Sequence, residues 1–359
     1  MSLFRSQLAR FQTQLDGIKG PKPAETVEKV RKIVANVMPD AELHLFGSTV
    51  TGMRIPKGDV DVMVESSRFE PIQALKALHN HLKNDNSYVS SMRLRDRGKS
   101  RVPSLRWIDK TTGILVDCCV NAPRSLRTTA DLMRLSVNVP DLKPLVLLLK
   151  TNLWMHNLNE HGSGGIGGYQ LASLLADYIR TESENADGAS GILLGFMRKF
   201  SDEYNLGRAL RSLEKSLQGE GGEERKKSVR ALHGVPDDRC SDEGNESASP
   251  GSLRRRMLCS QLRLNCARLE EALARPLPPE STSSPLNVFL PQWSASLTPG
   301  GLRRCYSKWD DVRRIRWSQA GKTRRENREL RVEFGDEGGK KKEDPLWSLT
   351  GSTVEVVDS

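Results

Sequence analysis

Aromatic side chains are scarce in this chain: Phe, Trp and Tyr together make up 5% of its 359 residues. With hydrophobic residues at only 37%, part of the chain lies outside any core, and the length suits two domains plus irregular segments. Cysteine is sparse as well. The six, at 118, 119, 240, 259, 266 and 305, show no Cys-x-x-Cys spacing, which argues against a zinc site and for reduced thiols in an intracellular protein. Cys118 and Cys119 are neighbours on an expected strand, face opposite ways, and read as packing residues. No apolar run reaches membrane-spanning length; Leu145–Leu149 is short and flanked by Lys143 and Lys150. The opening MSLFRSQLARFQTQLDG is amphipathic and lacks the continuous apolar stretch of a secretory signal, so no membrane partner is expected. No internal repeat is found. Acidic residues are outnumbered, 45 against 55 Lys and Arg, and the net charge of +10 favours a polyanionic partner.

What is present is a dense set of polar residues between short apolar runs. Val27, Val30, Ile33, Val34 and Val37 have helical spacing, and a strand from Ala41 to Phe46 follows. The strand leads into a Gly47-Ser48 turn, then a second strand from Asp59 to Glu65 and a helix from Pro71 to Lys83. Residues 102–108 and 113–120 read as two strands joined by a turn at Asp109–Gly113, which completes a small mixed α/β domain near residue 125. The next part is helical, with helices expected at Leu142–Leu158, Tyr169–Ile179 and Ile192–Tyr204. Between the first two lies the Gly-rich loop 161–168. The free N–H groups of the helix it opens would suit an anion, although a plain interhelical linker has the same composition.

The chemistry concentrates in the α/β part. Asp59 and Asp61 alternate along one strand and so point the same way. Paired carboxylates repel unless a cation neutralises them, and a hard divalent ion such as Mg2+ suits two oxygens. Asp117, an acid in the otherwise apolar run Ile114–Cys119, is the third candidate ligand. Gly47 lets the backbone approach phosphates, and Ser48 offers a hydroxyl donor. Three carboxylates beside a phosphate-binding turn are what two-metal nucleotide transfer to a hydroxyl requires.

The array Phe46-Gly47-Ser48 through Asp61 resembles the FGS-x-x-TGL-x-x-P-x-SD-x-D signature of the DNA polymerase beta-type nucleotidyltransferases. More narrowly it is similar to the non-canonical poly(A) polymerases and terminal uridylyltransferases, with Met53 for Leu and Gly58 for Ser. The likeness continues through Leu142–Lys150, Leu158-Asn159-Glu160 and Gly164–Tyr169, covering roughly residues 1–205. It implies an α/β polymerase-beta-like domain, a mixed sheet with helices, plus a helical central and PAP-associated domain. It also implies that Asp59, Asp61 and Asp117 are a catalytic triad holding Mg2+ or Mn2+. Gly47, Ser48 and the Gly168 backbone would bind the triphosphate, Lys150 would neutralise it, and Tyr169 would stack on the base. The implied activity is addition of AMP from ATP to an RNA 3′ end, with UTP as the alternative nucleotide. Likeness to the RNA-surveillance branch, including Val102-Pro103 and Asn121 after Asp117, adds a nuclear setting and a zinc-knuckle RNA-binding partner.

Two departures stand out. Gly167-Gly168 replaces the usual Ser-Ser ahead of the tyrosine, and Glu343-Asp344-Pro345-Leu346 matches the D-P motif without the base-selecting N-D loop behind it. A rival of another class follows from them: an RNA-binding protein that keeps the fold without catalysis. The expected divisions are a helical segment 1–40 packed on the central domain, a catalytic domain 41–125 and a helical central domain 126–216. A disordered insertion 217–252 and a divergent PAP-associated region 253–359 with a basic tail complete the chain. Arg313–Trp317 and Lys340–Lys342 in that tail are expected RNA-backbone contacts or a nuclear-import patch, or simply a solvated face.

Overall fold

The computed structural model describes residues 3–17, 23–56, 58–85, 87–95, 102–139, 141–161, 164–182, 186–218 and 250–274. The D-P motif, the basic tail and most of the expected insertion lie outside them.

Five strands form one mixed sheet: β1 (Glu42–Phe46), β2 (Val60–Glu65), β3 (Val89–Arg95), β4 (Ser104–Asp109) and β5 (Leu115–Val120), in spatial order β1-β2-β5-β4-β3. Only β2 and β5 run parallel; the other neighbours are antiparallel. Alternation sorts the side chains. Val60, Val62, Val64, Val116, Cys118 and Val120 are buried on one face with Leu105 and Trp107. The N-terminal helix is α1 (Leu3–Asp16), and that sheet face is covered by α2 (Pro23–Val37) and, after the one-turn α3 (Ser48–Thr51), by α4 (Pro71–Asn84). In α4, Leu75, Leu78 and Leu82 fall at helical spacing and are each at most 1% exposed, contributing about 1.5–3 kcal/mol apiece. Cys119 lies with Met63 and Ala122 on the opposite face, so the two adjacent cysteines do pack in separate layers.

The rest of the described chain is helical: α5 (Pro123–Asn138), α6 (Leu142–Met155), α7 (Gly168–Glu182), α8 (Gly188–Phe200), α9 (Glu203–Gln218) and α10 (Pro250–Ala274). Its core is built on α6, where Leu142, Leu145, Leu148 and Leu149 are fully buried. Phe4, Leu8, Phe11 and Leu15 of α1 enter this same core.

The elements depart from expectation in several places, among them α5, which crosses the expected domain boundary near residue 125. The 1–40 segment is split: α1 sits on the helical body, whereas Val27, Val30, Ile33 and Val34 of α2 belong to the sheet's core. A buried polar cluster fixes α2 there. Thr26 Oγ1 donates to Asp109 Oδ2 at 3.0 Å, and Thr112 Oγ1 donates to the same oxygen at 2.6 Å. Burial would raise the Asp109 pKa, but these hydroxyls, the Thr111 N–H and the Lys29 charge outweigh it and hold the carboxyl below its ordinary range. Strand β3 was not anticipated. The helix expected across Ile192–Tyr204 breaks after Phe200, where Asp202 Oδ1 accepts from Asn205 N at 2.9 Å and starts α9. Finally, residues 250–252, expected at the end of the insertion, are the first turn of α10.

Candidate active site

Register assembles the site. Phe46 pairs with Asp61, Asp61 with Asp117, Asp117 with Arg106, and Arg106 with Arg93, so one row of side chains crosses all five strands on the face that α2 and α4 leave uncovered. Asp59 sits one residue ahead of β2, and its charge acts on Asp61 together with that of Asp117. The structure therefore brings all three predicted carboxylates together. Burial first, then the repulsion of Asp59 and Asp117, pushes the Asp61 carboxyl well above its ordinary value.

Two cations answer this charge. Arg106 Nε donates to Asp117 Oδ2 at 2.5 Å, its Nη2 lies against the same oxygen, and its Nη1 is 4.0 Å from Glu160. Burial works against the Arg106 charge, yet Asp117, Asp59 and Glu160 together raise its pKa. Lys150 reaches across from α6, and its Nζ donates to the Met53 carbonyl at 3.2 Å. Burial lowers the Lys150 pKa, while the carboxylates of Asp59 and Asp61 pull it the other way. A carboxyl pushed up and an amine pushed down both reflect the burial of this charged cluster.

The turn after β1 is tightly fitted. Gly47 has φ +69, and a Cβ there would collide with Asp61 Oδ2, so glycine is required for both conformation and space. Its N–H donates to Thr129 Oγ1 of α5 at 2.8 Å. Ser48 Oγ and Thr49 Oγ1 are buried with no hydrogen-bond partner among the described residues. A hydroxyl left orphaned beside clustered carboxylates and a lysine fits a polar ligand group. Gly168 opens α7 next to Lys150: a Cβ on it would stand 3.4 Å from Lys150 Nζ. Gly167 N donates to Gln170 Oε1 at 3.1 Å. Tyr169 is half-buried and packs on the helical core. The donor set of three clustered carboxylate side chains suits a hard divalent cation such as Mg2+ or Mn2+.

Arg106, Arg54 and Thr129 escaped the sequence reading. Arg106 alone carried a signal, as a charge in the otherwise apolar run Leu105–Ile108. Also unforeseen is a group at the open end of the same face: Glu42, His44 and Glu65 place one ligand atom each within 4.8 Å of one another. His44 Nε2 lies 2.9 Å from Glu65 Oε2, and this hydrogen-bonded contact accounts for the cluster.

A mixed sheet carrying in-register aspartates on one face, backed by helices and joined to a helical body, defines a DNA polymerase beta-type nucleotidyltransferase fold. Residues 11–135 match the family model described as the central palm domain of the mitochondrial-like poly(A) RNA polymerases. The chain is 26% identical over 189 residues to Poly(A) RNA polymerase protein 2 of Saccharomyces cerevisiae, a stretch that is 50% of this chain and 32% of that one. It is 28% identical over 165 residues to the inactive non-canonical poly(A) RNA polymerase protein Trf4-2 of Drosophila melanogaster, covering 45% of this chain and 40% of that one. Among solved structures, the polymerase core of TRAMP, described as an RNA surveillance complex, superposes with a TM-score of 0.52. That match has 19% identity over 74% of this chain and 87% of that chain. In sequence the palm of this chain is thus similar to non-canonical poly(A) polymerases. The matched stretches span well under half of those curated relatives' lengths.

Proposed function

We propose that this chain is a template-independent RNA nucleotidyltransferase that adds AMP from ATP to RNA 3′ ends. The observation that carries the reading is the in-register Asp61–Asp117 pair with Asp59 beside it and a buried Lys150 facing it from the helical body. The matched family model and the named poly(A) polymerase relatives favour adenylation over the alternative, uridylation.

In this reading Asp59, Asp61 and Asp117 hold Mg2+ or Mn2+. The bound cation supplies Lewis-acid polarisation of the phosphate and lowers the pKa of the attacking hydroxyl. Ser48 Oγ donates its unused hydrogen to a triphosphate oxygen. Lys150 exchanges the Met53 carbonyl for phosphate oxygens and faces the charge that grows on departing pyrophosphate. The N–H groups around Gly168 stand in for the hydroxyls that Gly167-Gly168 lacks. Tyr169 offers a face for the base. The new bond joins the RNA 3′ oxygen to the α-phosphorus, and the bond to pyrophosphate breaks. A zinc-knuckle RNA-binding partner and a nuclear setting belong to the same proposal, motivated by likeness to the RNA-surveillance branch.

A non-catalytic RNA-binding role is favoured by Gly167-Gly168 and by similarity to the inactive Trf4-2. Primer extension on a short oligo(A) with each NTP separately, in Mg2+ and in Mn2+, separates the readings. Extension with ATP that disappears in Asp59→Ala, Asp61→Ala is expected. Preferential use of UTP would replace adenylation with uridylation, and RNA retention without extension in either metal would establish the non-catalytic role.

A further inference from the structure

Asp59 sits one residue ahead of β2, before the first pair of the β2–β5 register. The loop before it is anchored at several points. Met53 and Ile55 are buried in the core of the helical body, 3% and 1% exposed, and Gly58 N closes a turn on Ile55 O at 2.7 Å. Between these anchors the Arg54 side chain turns back over the loop. Its Nη2 donates to Gly58 O at 2.5 Å and its Nε to Asp59 O at 3.2 Å, while Nη1 reaches Pro56 O at 3.5 Å. Three backbone carbonyls are gathered by one planar fork, which an ammonium with a single nitrogen cannot reproduce.

The same side chain explains the glycine that precedes Asp59. A Cβ on Gly58 would stand 2.9 Å from Arg54 Cγ and 3.0 Å from Ile55 O. Gly58 has no positive φ to account for it; space alone demands glycine there. We propose that Arg54 is a positioning residue for Asp59: its guanidinium staples the backbone that presents this carboxylate, and Gly58 is glycine because the staple passes over it. The proposal rests on the reading of Asp59 as a ligand of a divalent cation. The Arg54 charge is also felt at Lys150, whose pKa burial lowers against the pull of Asp59 and Asp61.

The test is Mn2+ affinity of the full chain, without nucleotide or RNA, by electron paramagnetic resonance, with melting temperature read in parallel. Wild type, Asp59→Ala/Asp61→Ala, Arg54→Lys, Arg54→Ala, Gly58→Ala and the Arg54→Ala/Gly58→Ala pair are compared. Arg54→Lys keeps the charge and loses the fork, so it weakens Mn2+ binding roughly 10-fold, the lower end of what loss of an outer-shell support costs. Gly58→Ala does the same by displacing the staple. The double variant binds no more weakly than Arg54→Ala, because the staple can be removed only once. Wild-type affinity in Arg54→Lys, fully multiplicative losses in the double variant, or a lowered melting temperature with unchanged Mn2+ affinity each overturn the proposal. Wild-type Mn2+ binding that ignores Asp59→Ala/Asp61→Ala overturns it together with the metal-site reading. Triad-dependent binding that ignores every Arg54 variant overturns the staple alone.

Discussion

Burial first, and then the charges of Asp59 and Asp117, hold Asp61 toward its neutral form. Its folded pKa lies above the ordinary 3.8, so between that value and the folded one the native state carries more protons than the unfolded chain. Stability therefore falls as pH rises through this window, and the penalty is fully present above it. Asp61→Asn removes the titration. We predict that it raises the melting temperature of the metal-free protein at pH 8, leaves it nearly unchanged at pH 4, and abolishes primer extension. An equal shift at both pH values would refute the assignment of strain to this carboxylate. The acids were legible because an Asp in an apolar strand has few structural uses, and Gly47 because little else tolerates that turn. Lys150 could be singled out only through family resemblance, since a lysine ending an apolar helix looks like any surface charge. Arg106 left a faint signal as a charge in an apolar strand, but Arg54 was not legible: nothing in its spacing reveals that its donors turn back onto carbonyls two to five residues ahead.

At the level of elements, β3 shows where pattern fails. Its sequence Val-Ser-Ser-Met-Arg-Leu-Arg has no apolar run, because an edge strand needs only one neighbour and leaves half its surface to solvent. The split between α1 and α2 was hidden for another reason. Both are amphipathic, and periodicity says that a face is buried without saying against what. Tertiary contacts decide it: Thr26 reaches Asp109 of the sheet, while Phe11 is 1% exposed in the helical core. Phe11→Ala should therefore destabilise the helical body by about 3–5 kcal/mol. Hydrogen exchange would register this as faster exchange in α6 and α8, the helices α1 touches, with β2 and β5 protected as in wild type. Uniform loss of protection across both bodies would show that they unfold as one.

For the molecule as a whole, the described residues form two large buried clusters, one between the sheet and α2 and α4, the other around α6, beside the small group of Met63, Cys119 and Ala122. The loop from Met53 to Ile55 belongs to the sheet by sequence and to the helical core by burial. Met53→Ala, which touches neither the sheet's core nor any carboxylate ligand, is expected to cost about 2–5 kcal/mol and to weaken Mn2+ binding at the triad. Calorimetry and Mn2+ titration measure the two effects, and a destabilised variant with wild-type affinity would refute the link. Rooting this loop in the second core works as an assembly interlock. During synthesis the sheet is complete by Val120, before α6, α7 and α8 exist. A nascent or half-folded chain then owns its aspartates but lacks the anchor that sets Asp59 and the lysine that answers it. On the proposed function, nucleotide chemistry would then wait for the finished fold.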